Sequence, residues 1–323
     1  MKVLVYGAGV IGGQLVHALS ACGNDMTVIA RGAWADTLRT EGLRIRHYIQ
    51  RKDTTDHLRV LEAPGEEQYD IVFAVMQYRQ MEKILPDLAR INSPIVVLTG
   101  NNLSALEMEA YILENCPMPK TVLFGFGSTA GTRENGKLTT VHTGDGRLTI
   151  GKAQEEVPET VKAVLQETFS GSRLSVVYCD NMDAWFKYHA AFILPVVYLC
   201  YKTGCDLRKS TRAERKLLLD AVGDAYHLLM ALGYPVRPAG DERSLEPGLA
   251  NTMVRLVIYW ISRTRLGALC TTEHCRHAPG EMEDLDEAFQ NVRAAKAEFP
   301  MPSFDSLRAM MPSWDRVREI YTR

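Results

Sequence analysis

The sequence predicts an α/β chain in which an N-terminal, doubly wound parallel sheet over residues 1–179 is followed by an all-α C-terminal domain over 180–323. Three observations carry this. Short runs of β-branched residues alternate with amphipathic stretches up to about residue 178, the texture of a parallel sheet with crossover helices. Three glycines with G-x-G-x-x-G spacing stand between the first run and the first amphipathic stretch. From Asp180 onward, strand signals give way to long helical segments.

The strand runs fall at 3–6, 26–30, 71–75, 95–98 and 122–126, and 174–179 reads as the last strand. Between them, 137–151 reads as an antiparallel hairpin, with Asp145-Gly146 in its turn because both residue types tolerate positive φ. Helices are expected over 181–203, 211–233, 246–266 and 281–297. Gly204, the 233–240 turn and Pro279-Gly280 break them, since glycine and proline each disfavour a continuing helix. The apolar run 253–261 suits either a core or a dimer face, and its Tyr259 and Trp260 suit an interface.

At ~100–200 residues per domain, 323 residues make two domains with ample core. A hydrophobic share of 46% with 24% charged residues excludes a disordered chain. The balance of 37 basic against 39 acidic residues leaves no electrostatic footprint for nucleic acid or an anionic membrane. Seven cysteines, an odd and scattered set, suit a reducing cytoplasm. The first strand begins so early that no signal peptide is expected. The apolar stretch 185–201 holds Lys187, His189 and Pro195, so it reads as a buried helix, a spanning one needing ~20 mostly uncharged apolar residues. Cys270, His274, Cys275 and His277 lack the distant second pair of a structural zinc site, and no metal is expected.

The glycine triplet carries the chemistry. Placed at a strand-to-helix turn, Gly7, Gly9 and Gly12 form the Rossmann-type dinucleotide fingerprint. Gly7 allows the tight turn, Gly9 lets a pyrophosphate approach the backbone, and Gly12 lets helix and strand pack closely. The first helical residues, Val10 and Ile11, then offer N–H groups at the positive end of the helix. The second strand ends in Arg31, with no Asp or Glu to grip a 2′-hydroxyl. A guanidinium there matches a 2′-phosphate in charge and geometry, so NADP(H) is expected over NAD(H) or a flavin.

These residues, together with several later segments, resemble the ketopantoate reductase (2-dehydropantoate 2-reductase) family. The resemblance runs through GAGVIGGQLVHALSACGNDMTVIARG, LRTEGLRI, DIVFAVMQY, GKLTTVHTGDGRLTIG and WFKYHAAFILP. It implies a Rossmann domain and a helical domain with NADPH and substrate in the cleft between them. The implied reaction is hydride transfer to a 2-keto acid, with a lysine protonating the ketone oxygen and a late glutamate binding substrate hydroxyl. Lys187 falls on that lysine, and Glu281 near that glutamate. An ammonium there can stabilise and protonate the alkoxide that hydride addition creates.

The chain departs from the family pattern at several points. Met76 stands where the family carries a lysine after the third strand, and Gly100-Asn101-Asn102 replaces its asparagine-glycine pair. The resemblance thus implies Met76 and Asn101 as cofactor contacts. Ala191 and Leu194 or Pro195 replace asparagines after Lys187, while His189 and His277 supply polar groups the family lacks there. Either histidine could act as an acid or orient a substrate carboxylate. The expected function is an NADP(H)-dependent oxidoreductase acting on a small-molecule carbonyl or hydroxy-acid substrate. The alternative is a non-catalytic NADP(H)-binding sensor that has kept the cradle.

Overall fold

The computed structural model describes residues 1–142, 144, 146–245 and 248–322, and it divides into two compact units, Met1–Met182 and Asp183–Arg323. The first unit runs β1 (Lys2–Tyr6), α1 (Val10–Ser20), β2 (Asp25–Ile29), α2 (Gly32–Glu41), β3 (Leu43–His47), β4 (Lys52–Asp56) and β5 (Arg59–Leu61). It continues β6 (Ile71–Val75), α3 (Tyr78–Arg90), β7 (Ile95–Thr99), α4 (Ala105–Asn115), β8 (Thr121–Gly127), β9 (Ala130–Glu134) and β10 (Lys137–Val141). Then come β11 (Arg147–Gly151), α5 (Glu159–Thr168) and β12 (Ser175–Cys179).

Eight strands form the main sheet in the order β12-β11-β8-β7-β6-β1-β2-β5, parallel throughout except where β11 meets β8. β1 is central: Val3 pairs with Met26 of β2 on one side and Ile71 of β6 on the other. Val3, Val5, Val28, Phe73 and Val97 are fully buried, as expected of strands covered on both faces. Chain order reverses across β1, so the loops after β1 and β6 diverge there and open the crevice in which such sheets bind ligands.

A second sheet, β4-β3-β10-β9, overturns the hairpin reading of 137–151. β10 pairs with β9 and β3, whereas β11 joins the main sheet between β8 and β12. Alternation of apolar residues marked both strands correctly, but a local turn competes with long-range pairing, and here the distant partners win. Gly144 and Gly146 both take positive φ in the connection, while Asp145 lies outside the described residues. α1 lies between the sheets, touching β1 and β2 of one and β3, β9 and β10 of the other. Polar contacts link the small sheet and α1: His17 Nδ1 is 2.7 Å from Asp56 Oδ2, and the buried Thr140 hydroxyl donates to Gln14 Oε1 at 3.2 Å.

The second unit is helical: α6 (Met182–Lys202), α7 (Arg212–Ala231), α8 (Leu249–Ile261), α9 (Arg265–Cys270), α10 (Thr272–His277), α11 (Pro279–Ala294), α12 (Pro302–Ala309) and α13 (Trp314–Tyr321). α7 starts on a capping box, in which the Glu214 N–H donates to Thr211 Oγ1 and the Thr211 N–H donates to Glu214 Oε2. The segment expected as one helix over 246–266 stops at Ile261, because Thr264 caps a new start by accepting from the Gly267 N–H. Asp286, buried on α11, ties the unit together. It accepts from Tyr198 of α6, Arg308 of α12 and Trp314 of α13. Burial alone would raise its pKa, but the hydrogen bonds from Arg308, Tyr198 and Trp314 outweigh it and hold the carboxyl below its usual range. No helix among the described residues is long and apolar enough to cross a membrane.

Candidate functional site

The glycine cradle separates into two jobs. Gly7 has φ +110°, and a Cβ there would stand 2.3 Å from the Val75 carbonyl oxygen; at Gly12 it would stand 2.0 Å from the Gly7 carbonyl oxygen. Those two glycines are required by the protein's own packing. Gly9 is different: its φ is −74°, and a Cβ would meet nothing within 4 Å. The open space before it lies at the N-terminus of α1, where no side chain caps the helix and the first turn holds no acidic residue. The backbone N–H groups of Val10 and Ile11 therefore face a site suited to phosphate. These features fit a dinucleotide pyrophosphate.

Arg31 is the residue before α2 and is exposed. Its Nη2 donates to the Tyr6 hydroxyl at 2.7 Å, and that hydroxyl donates to Asp87 Oδ2 at 3.0 Å. Burial, then the Asp87 hydrogen bond, raises the Tyr6 pKa, so the phenol stays protonated and can bridge the two. The guanidinium is thereby anchored through one nitrogen while presenting further donors to solvent. Trp34, in the first turn of α2, donates from Nε1 to the Ala8 carbonyl at 2.9 Å and binds that helix to the glycine loop. The Arg133 guanidinium lies 5.2 Å from the Trp34 ring centroid. Sequence reasoning missed Tyr6, Asp87, Trp34 and Arg133. Only Tyr6 left a signal, a polar tip at the end of an otherwise aliphatic strand.

Met76 and Asn101 lie on neighbouring loops after β6 and β7. The Met76 N–H donates to the Thr99 carbonyl at 3.3 Å, and Gly100, with φ +146°, would bring a Cβ to 2.4 Å from the Met76 carbonyl oxygen. Asn101 is half-buried. Asn102 is buried and serves the backbone: its Oδ1 accepts from the Ser104 N–H at 2.9 Å, which sets up the start of α4.

In the second unit, Lys187 is only 4% exposed. It forms an ion pair with Asp183, one turn earlier on α6, and its Nζ lies 4.8 Å from the Tyr234 ring centroid. Asp183 Oδ2 is buried with no hydrogen-bond partner among the described residues. His189 stacks on Trp185, with ring centroids 5.0 Å apart and planes 13° from parallel. Burial pushes its pKa down to about 4, so at neutral pH it is an uncharged imidazole. That leaves His189 able to orient a group by hydrogen bonding, but without an imidazolium proton to donate.

Glu281, buried at the start of α11, lies 3.4 Å from His274 Nε2, and exposed His277 lies 3.5 Å from Glu273 Oε2. Sequence reading gave His277 a role and missed His274, which lies one helical turn earlier. Contacts of Tyr198 with Asp286 and of Tyr201 with Cys275 set this region beside the C-terminal half of α6. Tyr198 is itself eleven residues, about 16 Å along the helix, beyond Lys187. Lys187 and His189, two residues apart, leave α6 on different faces, and Glu281 pairs with His274 farther along that helix. Cys270, His274, Cys275 and His277 do not converge, and among the described residues no group of three or more His, Cys, Asp or Glu side chains could hold a metal ion.

The comparisons with known proteins agree with this geometry. Residues 3–155 match the family model described as ketopantoate reductase PanE/ApbA. An uncharacterized oxidoreductase of Bacillus subtilis (strain 168), YkpB, is 26% identical over 251 residues, 76% of this chain and 80% of the relative. The solved PanE/ApbA family ketopantoate reductase of Ralstonia eutropha JMP134 superposes with a TM-score of 0.74 at 17% identity over 100% of both chains. A D-mandelate dehydrogenase solved with NADH and anilino(oxo)acetate superposes with a TM-score of 0.72 at 16% identity, again over 100% of both. Such identities establish a shared fold. Residues 3–155 are thus similar to the ketopantoate reductase PanE/ApbA family, and the whole chain shares the fold of solved proteins of that description.

Proposed function

We propose that the protein is an NADP(H)-dependent oxidoreductase that interconverts a small 2-keto acid, or a related carbonyl, and its hydroxy acid. The observation that supports this best is the exposed Arg31 guanidinium, held by Tyr6 at the end of β2 where an NAD-selective site would carry a carboxylate. Gly7, Gly9 and Gly12 shape the phosphate cradle, Val10 and Ile11 supply N–H groups to it, and Met76 and Asn101 line its far end. A bound nicotinamide supplies or accepts the hydride. Lys187 holds the proton: as an ammonium it stabilises the oxygen that becomes an alkoxide and protonates it, giving the alcohol and a neutral amine that water recharges. Asp183 keeps that ammonium in place.

The direct test is NADPH oxidation with purified protein and a panel of 2-keto acids beginning with ketopantoate. Turnover with any of them supports the reading. Met76, an apolar residue at the family's lysine position, favours one second reading, a non-catalytic NADP(H) sensor. Tight NADPH binding without turnover on the whole panel would select it. The free thiols of all seven cysteines suit the reducing cytoplasm as its compartment. The apolar face of α8, with Trp260 62% exposed, suits a homodimer contact.

A further inference from the structure

A cavity of about 400 Å³ is built wholly from the second unit, where the turn after α6 meets the segment joining α8 and α9, with α10 beside it. Four arginines line it, Arg208, Arg263, Arg265 and Arg276, against two carboxylates, Asp206 and Glu273. Arg208 is satisfied, with Nε and Nη2 donating to both oxygens of Asp206. Arg276 donates to the Cys205 carbonyl at 3.1 Å and approaches Glu273 only to 3.9 Å. Arg263 has no carboxylate partner among the described residues; it lies 4.0 Å from the Tyr259 ring centroid and donates to the Ser262 hydroxyl. Arg265 makes no side-chain hydrogen bond or ion pair among the described residues. Two cationic charges are therefore uncompensated inside one concavity, which focuses a positive field on whatever enters it.

We infer that this cavity is a binding site for a small polyanion. Its volume is that of a small-molecule pocket, and planar guanidinium forks match the paired oxygens of a phosphate or a carboxylate. Lys187 is not part of it. Lys202, where α6 ends, is fifteen residues past Lys187, about 22 Å along the helix, and the cavity lies beyond that end. The site therefore calls for a ligand other than the one reduced beside Lys187, a metabolite carrying a phosphate group or several carboxylates.

Isothermal titration of the full chain with inorganic pyrophosphate and, separately, with citrate tests this. Saturable binding of at least one anion is expected, weakened about tenfold or more in Arg265→Ala and retained in Gly9→Ala. Preference for pyrophosphate identifies a phosphate-bearing ligand, and preference for citrate a polycarboxylate. The Arg265 side chain bonds to no other described residue, so its loss leaves the fold intact, which a thermal melt verifies. No saturable binding of either anion, binding indifferent to Arg265→Ala, or binding abolished by Gly9→Ala would each overturn the proposal.

Discussion

Arg31, just after β2, reaches to Tyr6 at the end of neighbouring β1, its Nη2 donating to the phenol at 2.7 Å, so an exposed cation is aimed by a buried residue. The arrangement separates aiming from charge. Arg31→Ala should weaken NADPH by roughly 10–100-fold, the worth of charge-assisted hydrogen bonds to a phosphate, and leave NADH nearly unchanged. Tyr6→Phe keeps the charge and removes the anchor, so a smaller loss, about 2–10-fold, is expected for NADPH alone. Fluorescence titration of both nucleotides reads these differences; equal losses for NADPH and NADH would remove Arg31 from the phosphate role.

The glycines should divide in the same experiment. Gly9→Ala adds a Cβ that meets nothing within 4 Å at a φ of −74°, so thermal stability should hold while nucleotide affinity falls. Gly12→Ala drives a Cβ into the Gly7 carbonyl and should cost about 1–3 kcal/mol of stability, as overpacking does. Denaturant melts with and without NADPH check both.

Lys187 and Asp183 are buried partners, so removing either strands the other, at a cost of about 3–5 kcal/mol. Lys187→Met should therefore lose both stability and turnover. Adding Asp183→Asn should restore much of the stability without restoring turnover, which should stay roughly 100-fold or more below the parent. Recovery of turnover in the double variant would take Lys187 out of the chemistry.

His189 gives the fold an acid limb. Its folded-state pKa of about 4 lies below the 6.5 of an unperturbed imidazole, so between those values the unfolded chain binds more protons. Stability should fall as pH drops from about 6.5 to about 4. His189→Gln removes the titration and should flatten part of that limb in a series of thermal melts; an unchanged limb would show that other groups set it.

α8 presents Leu249, Met253, Leu256 and Trp260 to solvent at helical spacing. A second copy of the chain is expected to cover them. Sedimentation at rising protein concentration should give twice the chain mass, and Trp260→Arg should return the chain to monomer. A parent protein that sediments as a monomer throughout would contradict the contact.

Much of this was legible in the sequence, for reasons that differ by element. The β1 run, Gly7, Gly9 and Gly12, and the start of α1 lie within about a dozen residues, so local pattern sufficed. The edge strand β4 carries only charged and polar residues, and the edge strand β5 is only three residues long, so neither left a signal. Asp87 meets Tyr6 from eighty-one residues away, and Asp286 gathers partners from three other helices. Such pairings are made by tertiary packing, which periodicity does not encode. The short helix α9 escaped because its capping residue, Thr264, sits inside a stretch whose apolar pattern reads as continuous.

The most direct measurement is a paired titration of the unmodified protein with NADPH and NADH, monitored by intrinsic tryptophan fluorescence. NADPH should bind at least about tenfold more tightly than NADH, the margin set by charge-assisted contacts of Arg31 with a 2′-phosphate. Equal affinity, or binding of neither nucleotide, would contradict the assignment of Arg31 and the cradle to NADP(H).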